Sequence, residues 1–309
     1  MIINKHILVL SGSENGEDLP SDMTSQHVGE YLSGLGVKTS FLVFNKKTFY
    51  HDITQIKPDI VFNAMHGSYG EDGRLQGVLD LLEIPYTHDN HYVSSVGFNK
   101  DYTKHLMVSA GIPVAKWILA NRTEVLSGEY LKKAADFIKN GYVVKPNCSG
   151  STLGLCIRTA DKIDMPITKD EIGNYDYFIV EEFIKGKEFA VLALNKQIIG
   201  GIELISGSED NIISYEDKYI DICSREKITA DGSLLQELYK HTLSLADQLN
   251  LDCLARVDFR VDGSRIAALE VNTHPGMGKK SMVANICHHN NFDISKIFEH
   301  LIANANFMP

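Results

Sequence analysis

The sequence lacks the features that mark membrane and secreted proteins. No apolar run approaches the ~20 residues that a membrane-spanning helix requires. The first apolar stretch, Met1 to Ser11, is too short and wrongly flanked for a signal peptide and predicts a buried strand instead. The five cysteines are scattered without a Cys-x-x-Cys pair, which argues against a disulfide framework or a zinc site. We therefore expect a cytoplasmic protein.

Basic residues are fewer than acidic residues in this chain. The chain has 30 Lys and Arg against 40 Asp and Glu, a formal net charge of -10. This surplus of negative charge repels nucleic acid and anionic membranes, so neither is expected as the main partner. The composition, 44% hydrophobic and 23% charged, is otherwise that of a globular protein, and 309 residues suffice for two or three domains.

Hydrophobic periodicity divides the chain into three predicted domains. Over residues 1–92, strands alternate with helices, which predicts an N-terminal α/β domain with a parallel sheet. Residues 93–183 form a small α+β unit whose strands are expected to be antiparallel. Residues 184–309 begin with strands and end with helices. Three compact units around a shared cleft fit this pattern.

Three local predictions follow from periodicity and turn residues. One helix is predicted over Ser94 to Ala110, closed by a glycine, and another over Glu129 to Lys139. A β-hairpin is predicted from Leu254 to Val271, with its turn at Asp262-Gly263.

Three dense motifs stand out along the chain. They span His66 to Gly77, Lys145 to Gly154 and Glu270 to Met277. In the second, a loop of small residues follows a strand, and such a loop can fold over phosphates through its backbone N–H groups. It is not a Walker A loop, because the lysine precedes the glycines. An ordinary hairpin turn is the alternative interpretation of this loop.

The predicted C-terminal hairpin brings carboxylates together. Alternate residues of a strand lie on the same face. Arg256 and Asp258 therefore share a face on one strand, and Glu270 and Asn272 share a face on the next. Two carboxylates and an amide oxygen make a hard-oxygen set suited to Mg²⁺. The alternative is a surface ladder of paired polar residues, but the Asn-x-x-Pro-Gly turn that follows argues against it.

Together, the three motifs resemble those of the D-alanine–D-alanine ligases, a branch of the ATP-grasp carboxylate–amine ligases. The resemblance runs from about Ile7 to the last helix. It implies an ATP-grasp fold with a nucleotide cleft between the central and C-terminal domains. It also implies a cytoplasmic enzyme that joins two D-alanine molecules through an acyl phosphate, for peptidoglycan synthesis. A homodimer is expected from the same resemblance.

The resemblance implies ATP as a cofactor and a set of residues that bind it. Lys100, Lys145 and Lys218 would contact phosphates, and Ser151 and Thr152 would lie over them. The strand–turn–strand that follows would hold the nucleoside. Here Glu181 would accept from the adenine amine, and Glu188 would hold the ribose, with the adenine pocket lined by Phe183 and Ile184. A surface strand with alternating acids is the alternative for this segment.

The metal and catalytic residues are also implied by the resemblance. Asp258, Glu270 and Asn272 would hold two Mg²⁺ ions, with Glu270 bridging and Mn²⁺ as an alternative metal. Arg256 and the backbone N–H of Gly276 would stabilise the oxyanion of the tetrahedral intermediate. In a mobile lid segment, Tyr219 would hydrogen-bond to Ser151 and close the site.

The amino-acid side of the site matches the family less closely. His66 and Glu71 would lie near the first substrate, and Ser281 with Met282 would bind the carboxylate of the second at a helix N-terminus. The segment after the first strand has an apparent insertion. Glu14 and Glu17 are both candidates for gripping the first ammonium group, with Glu17 favoured.

These departures keep two rival functions open. One is a related ATP-grasp ligase with other amino-acid or hydroxy-acid substrates, because Lys279 and Lys280 near the second site would suit an acidic partner. The other is an ATP-binding regulatory protein without catalysis, against which the retained Arg256, Asp258 and Glu270 argue.

Overall fold

The computed structural model describes residues 4–13, 18–150, 154–205 and 232–309. The first sheet is parallel, with strand order β2-β1-β3. Its strands are β1 (His6–Ser11), β2 (Lys38–Val43) and β3 (Ile60–Asn63). The helices of this part are α1 (Asp18–Gly34), α2 (Phe49–Ile56), α3 (Arg74–Leu81), α4 (His91–Phe98) and α5 (Lys100–Ser109). The parallel sheet with intervening helices agrees with the expectation for the N-terminal part.

The second sheet is antiparallel, with strand order β4-β7-β5-β6. Its strands are β4 (Trp117–Asn121), β5 (Gly141–Pro146), β6 (Cys156–Thr159) and β7 (Tyr177–Glu182). Short helices connect them, namely α6 (Arg122–Ser127), α7 (Tyr130–Lys133) and α8 (Lys169–Ile172). Tyr142 and Phe178 are fully buried in the core of this sheet.

The third sheet is also antiparallel, with strand order β11-β10-β8-β9. Its strands are β8 (Lys187–Leu194), β9 (Gln197–Leu204), β10 (Leu254–Asp262) and β11 (Arg265–Asn272). Three helices accompany it: α9 (Gly232–Leu249), α10 (Met282–His289) and α11 (Ser295–Ala303). The β10–β11 hairpin therefore forms as predicted, but its turn lies at Gly263-Ser264 and not at Asp262-Gly263, because Asp262 still pairs with Arg265. No described helix is both long and apolar enough to cross a membrane.

One hydrophobic core joins the first and third sheets. Phe62 of β3 lies in the same buried cluster as Leu192 of β8 and Phe298 of α11. The chain end also returns to the first sheet, where Asn306 bridges to Tyr86. This shared core brings the polar loops of the first sheet against the loop that follows β11.

The predicted continuous helix over Ser94 to Ala110 is wrong, because two helices meet there. Asn99 is extended, at φ -94° and ψ 106°, and its side chain accepts a hydrogen bond from the Tyr102 N–H. An asparagine at a helix N-cap competes with continuation of the preceding helix. The break lets the N–H of Lys100 donate to the Asn147 carbonyl at 3.1 Å. It thereby docks α5 on the end of β5.

The predicted helix over Glu129 to Lys139 is also wrong in extent. Only Tyr130–Lys133 is α-helical, and a single 3₁₀ turn follows at Ile138–Asn140. The hydroxyl of Tyr130 is hydrogen-bonded to that of Tyr142 at 2.8 Å, and both rings are buried. Here the packing of two tyrosines overrides helix propensity.

The glycine at the β7–β8 turn lies too close to a neighbouring strand to accept a side chain. Gly186 has φ +107°, and a β-carbon there would lie 2.1 Å from the Val261 carbonyl oxygen. Gly263 has φ +59° with nothing within 4 Å of such a β-carbon. We expect Gly186→Ala to lower the free energy of unfolding by about 3 kcal/mol and Gly263→Ala by about 1 kcal/mol, measured by urea denaturation. Equal losses in the two variants would contradict the close approach.

Candidate functional site

A polar cavity lies where the loops of the first sheet, α5 and the β10–β11 hairpin meet. It is lined by Pro20, His66, Glu71, Gly97, Phe98, Lys100, Ser149, Gly150, Arg256, Glu270, Val271, Asn272, Thr273, Gly276 and Met282. The wall therefore combines predicted phosphate, metal, oxyanion and substrate residues. Residues from all three sequence motifs contribute to it.

The register of β10 against β11 builds one wall of this cavity. Asp258 lies opposite Glu270, and Arg256 lies opposite Asn272. Directly opposed residues of an antiparallel pair project from the same face, so the four side chains form a compact group. Val257, on the other face, is buried in the core against α9. This alternation holds the polar group rigidly at the cavity.

Charge pairing within this group is extensive. The Arg256 guanidinium donates to both Asp258 oxygens, at 2.8 and 2.9 Å, which fixes its plane. On the adjacent strand, Glu270 lies 3.5 Å from Lys100 Nζ. Lys100 also donates through Nζ to the carbonyl of Ser149, in the small-residue loop. The predicted phosphate lysine and the predicted metal carboxylate are therefore neighbours.

A second charged cluster lies next to the cavity, around the buried Glu181. Its Oε1 is 2.6 Å from Lys145 Nζ and its Oε2 is 2.9 Å from Lys104 Nζ. Burial alone would raise the pKa of the Glu181 carboxyl, but the two lysines outweigh it and lower the pKa to about 2. Glu181 is thus a permanent anion between two ammonium groups. Sequence reasoning assigned no role to Lys104.

The β7–β8 turn carries the predicted nucleoside pocket. Phe183 and Ile184 are buried, and they precede Gly186 at the start of β8. Glu188 is buried and lies 3.2 Å from the Arg260 guanidinium, a partner that sequence reasoning did not identify. The same guanidinium also reaches the Gly186 carbonyl, at 3.4 Å. Arg260 therefore fixes both the turn and the carboxylate.

A hydrogen-bonded relay connects α1, His66 and the turn after β11. His66 Nδ1 is 3.0 Å from Glu71 Oε1, and its Nε2 is 3.1 Å from Thr24 Oγ1. A carboxylate oxygen accepts from an N–H at Nδ1, and in the neutral ring with this tautomer the Thr24 hydroxyl donates to Nε2. The N–H of Met277 donates to the Thr24 oxygen at 3.1 Å. Thr24 thereby holds the residue next to Gly276.

Two further histidines lie behind His66. The rings of His88 and His274 stack with centroids 3.7 Å apart, and His66 meets His274 edge-on at 5.4 Å. Burial lowers the pKa of His88 to about 3 and that of His274 well below its usual range, and the neighbouring imidazoles add to both shifts. Both rings are therefore neutral at pH 7 and form a rigid backing for the relay. Sequence reasoning missed both residues.

The second-substrate region is built on the N-terminus of α10. Ser281 is its N-cap and accepts a hydrogen bond from the Ala284 N–H at 3.2 Å, and the next residue, Met282, lines the cavity. Lys279 forms an ion pair with Glu30 of α1 at the protein surface. Its charge is therefore directed at α1, which weakens the case for an acidic substrate.

Several predicted site residues lie outside the described part of the chain. They are Glu14, Glu17, Ser151, Thr152, Lys218 and Tyr219.

The residues of the hairpin fit a magnesium site by chemistry. No group of three or more His, Cys, Asp or Glu side chains suited to a metal occurs in the described ranges. The candidate ligand set contains only two carboxylates and the side-chain amide of Asn272. The amide oxygen of Asn272 accepts a hydrogen bond from the backbone N–H of His274 at 2.8 Å. Mg²⁺ commonly takes only one or two protein carboxylates and completes its octahedron with phosphate and water oxygens. Asp258 and Glu270 suit that role.

Two family models match the chain. The model for "D-ala D-ala ligase N-terminus" matches residues 7–88, and that for "D-ala D-ala ligase C-terminus" matches residues 106–303. Among curated relatives, a D-alanine–D-alanine ligase of Rickettsia bellii is 32% identical, with 98% of this chain and 92% of that enzyme covered. The enzyme of the same name from Rhodospirillum rubrum is 32% identical, with 91% of each chain covered.

Solved structures give the same result. The D-alanine–D-alanine ligase from Bacillus anthracis complexed with ATP superposes with a TM-score of 0.80 at 25% identity, over 97% of this chain and 96% of that one. D-alanyl-alanine synthetase A from Vibrio cholerae shares the fold, with a TM-score of 0.79 at 21% identity over 99% of both chains.

The relay through Thr24 yields a matched pair of variants. Thr24→Val keeps the side-chain shape but leaves the Met277 N–H and His66 Nε2 without their partner. We expect it to lower the free energy of unfolding by about 1–3 kcal/mol and kcat by about 10- to 100-fold. Thr24→Ser keeps the hydroxyl and should retain most of both. Thermal unfolding and ATP turnover measure this, and equal behaviour of the two variants would contradict a role for the hydroxyl.

Proposed function

This chain belongs to the D-alanine–D-alanine ligase family, and on that basis we propose that it joins two D-alanine molecules with cleavage of ATP. The dipeptide would serve as a peptidoglycan precursor. One observation carries the proposal: Arg256, Glu270 and Asn272 line the same cavity as Lys100, and Asp258 is paired with Arg256 beside them. Cations for phosphate and hard oxygens for a metal thus meet at one polar cavity.

The reaction proceeds in two steps. A carboxylate oxygen of the first D-alanine attacks the γ-phosphorus of ATP, and ADP leaves, which gives an acyl phosphate. The amino group of the second D-alanine then attacks the acyl carbon. The tetrahedral intermediate expels inorganic phosphate, which carries away one oxygen of the original carboxylate, and a proton is lost from nitrogen. Phosphoryl transfer of this kind depends on alignment and charge neutralisation.

The nucleotide is proposed to lie across both charged clusters. Lys100 and Lys145 bind phosphate oxygens, with help from Ser151, Thr152 and Lys218. The carboxylate of Glu181 receives the adenine amine. The pocket of Phe183 and Ile184 encloses the ring, and Glu188 holds the ribose, supported by the Glu188–Arg260 pair of 3.2 Å.

Two Mg²⁺ ions are proposed to be held by Asp258, Glu270 and Asn272. When bound, they supply positive charge that neutralises the phosphates. The bidentate pair with Asp258 orients the Arg256 guanidinium, which would stabilise the oxyanion together with the Gly276 N–H. One such donor is commonly worth about 3 kcal/mol of activation free energy.

The amino acids are proposed to lie between α1, His66 and α10. Glu17 grips the first ammonium group in preference to Glu14, while the His66–Glu71 pair of 3.0 Å orients the substrate. Ser281 and the start of α10 receive the second carboxylate. Tyr219 would close the site against Ser151.

Three further proposals concern the whole protein. The protein is expected in the cytoplasm, as a homodimer. Its domain boundaries are proposed near residues 92 and 183, because each of the three sheets falls within one of the resulting segments.

Product release tests the substrate assignment. With ATP and Mg²⁺, D-alanine should stimulate ADP release strongly, whereas L-alanine, acidic amino acids and D-lactate should not. Mass spectrometry should detect D-alanyl-D-alanine among the products. ADP release with one of the other compounds and none with D-alanine would identify a ligase of different specificity. Nucleotide binding without any turnover would favour the regulatory alternative.

The metal assignment predicts a large effect of one isosteric change. Glu270→Gln removes the charge of the proposed bridging ligand, so kcat should fall at least ~100-fold and the Mg²⁺ requirement should rise. Thermal unfolding should be nearly unchanged, because the shape of the side chain is kept. Glu237→Gln, at a side chain of α9 that is 58% exposed, is the matched control and should behave as wild type. Normal Mg²⁺-dependent turnover of Glu270→Gln would contradict the assignment.

A further inference from the structure

Lys104 is a buried lysine to which no described step of the reaction assigns a role. Its side chain is 0% exposed, whereas that of Lys145 is 12% exposed. It lies one helical turn after Lys100 on α5, so both lysines project from one face of that helix. The Lys104 ammonium is 2.9 Å from Oε2 of Glu181, whereas Lys145 contacts the other carboxylate oxygen, Oε1.

The charge of Lys104 is costly to bury. An ammonium group removed from water loses several kcal/mol of hydration, which only close countercharges recover. Burial accordingly lowers the pKa of Lys104, while the carboxylate of Glu181 acts in the opposite direction. A methionine of similar length would fill the same space without that cost. We therefore infer that the positive charge of Lys104, and not only the volume of its side chain, has a role at this position.

The charge balance explains what Lys104 does. Glu181 is a single anion shared by two cations, so the three groups together carry one net positive charge. If Glu181 were paired with Lys145 alone, that pair would be neutral and the ammonium of Lys145 would be held by the carboxylate. With Lys104 at the other carboxylate oxygen, the partly exposed Lys145 keeps an attraction for a second anion.

We propose that Lys104 is a positioning residue for the nucleotide, which neutralises Glu181 from the interior and so leaves the charge of Lys145 available to ATP phosphates. This inference rests on the proposed ATP site. It assigns to Lys104 an effect on phosphate affinity, although the Lys104 side chain itself is fully buried. The effect should therefore depend on the phosphates of the ligand and on the presence of the Glu181 carboxylate.

The single tryptophan of the chain provides the readout. Trp117 lies opposite Glu181 in the pairing of β4 with β7, and its ring centroid is 5.7 Å from Lys104 Nζ. Its Nε1 donates to Asp101 of α5 at 2.8 Å. Trp117 fluorescence therefore reports on this cluster, and calorimetry gives the affinity independently.

The experiment compares ADP with adenosine, which lacks phosphate. Lys104→Met should weaken ADP binding about tenfold or more while changing adenosine binding less than about threefold. Lys104→Arg should retain much of the ADP affinity, because it keeps the charge. Lys240→Met, at an exposed position of α9, is the matched control and should bind both ligands as wild type.

A double variant separates positioning from a merely structural role. Glu181→Gln keeps an acceptor for adenine but removes the anion that competes for Lys145. In the Lys104→Met background, it should restore ADP affinity to within about threefold of the Glu181→Gln single variant. Equal losses of ADP and adenosine affinity in Lys104→Met, or no rescue in the double variant, would overturn the proposal.

These binding measurements require no ligase turnover, so they test the role of Lys104 separately from the D-alanine specificity. Wild-type protein that binds ADP but fails to respond to D-alanine would overturn the substrate assignment and leave the role of Lys104 to be decided by the variants. Wild-type protein that does not bind ADP would overturn the ATP site, and with it the role of Lys104.

Discussion

The antiparallel pairing of β10 with β11 is the constraint on which the site depends. Its register sets Asp258 against Glu270 and Arg256 against Asn272 on one face, while Val257 anchors the opposite face in the core. A shift by one residue would turn every polar group of the hairpin into that core. The neighbouring strand β8 reinforces the register, since Asp258 also pairs with Ala190.

Near this hairpin, buried lysines outnumber the carboxylates with which they pair, although the protein as a whole is acidic. The chain has a formal net charge of -10, yet three lysines, Lys100, Lys104 and Lys145, lie in ion-pair contact with the two carboxylates Glu181 and Glu270. That local surplus of one positive charge suits a polyanionic ligand. The relay from Met277 through Thr24 to His66 holds another part of the cavity wall in place.

The sequence predicted the hairpin and its facing residues because a period of two and a turn glycine are local signals, although the turn itself lies one residue later than predicted. It did not predict the break at Asn99, because the apolar pattern is continuous there and the N-cap of Asn99 acts together with docking on the distant Asn147. The role of Thr24 could not be predicted, since its partners lie 42 and 253 residues away. For Lys104, the four-residue spacing from Lys100 was an available signal, but only the fold brings Glu181 to it.

The fate of the carboxylate oxygen tests the central claim most directly, namely that the site activates a carboxylate by phosphoryl transfer. D-alanine labelled with ¹⁸O in both carboxylate oxygens is turned over with ATP, and the inorganic phosphate is analysed by mass spectrometry. An acyl phosphate requires each released phosphate to contain one ¹⁸O atom. Unlabelled phosphate, formed together with ADP, would mean that ATP is hydrolysed by water and would contradict the account.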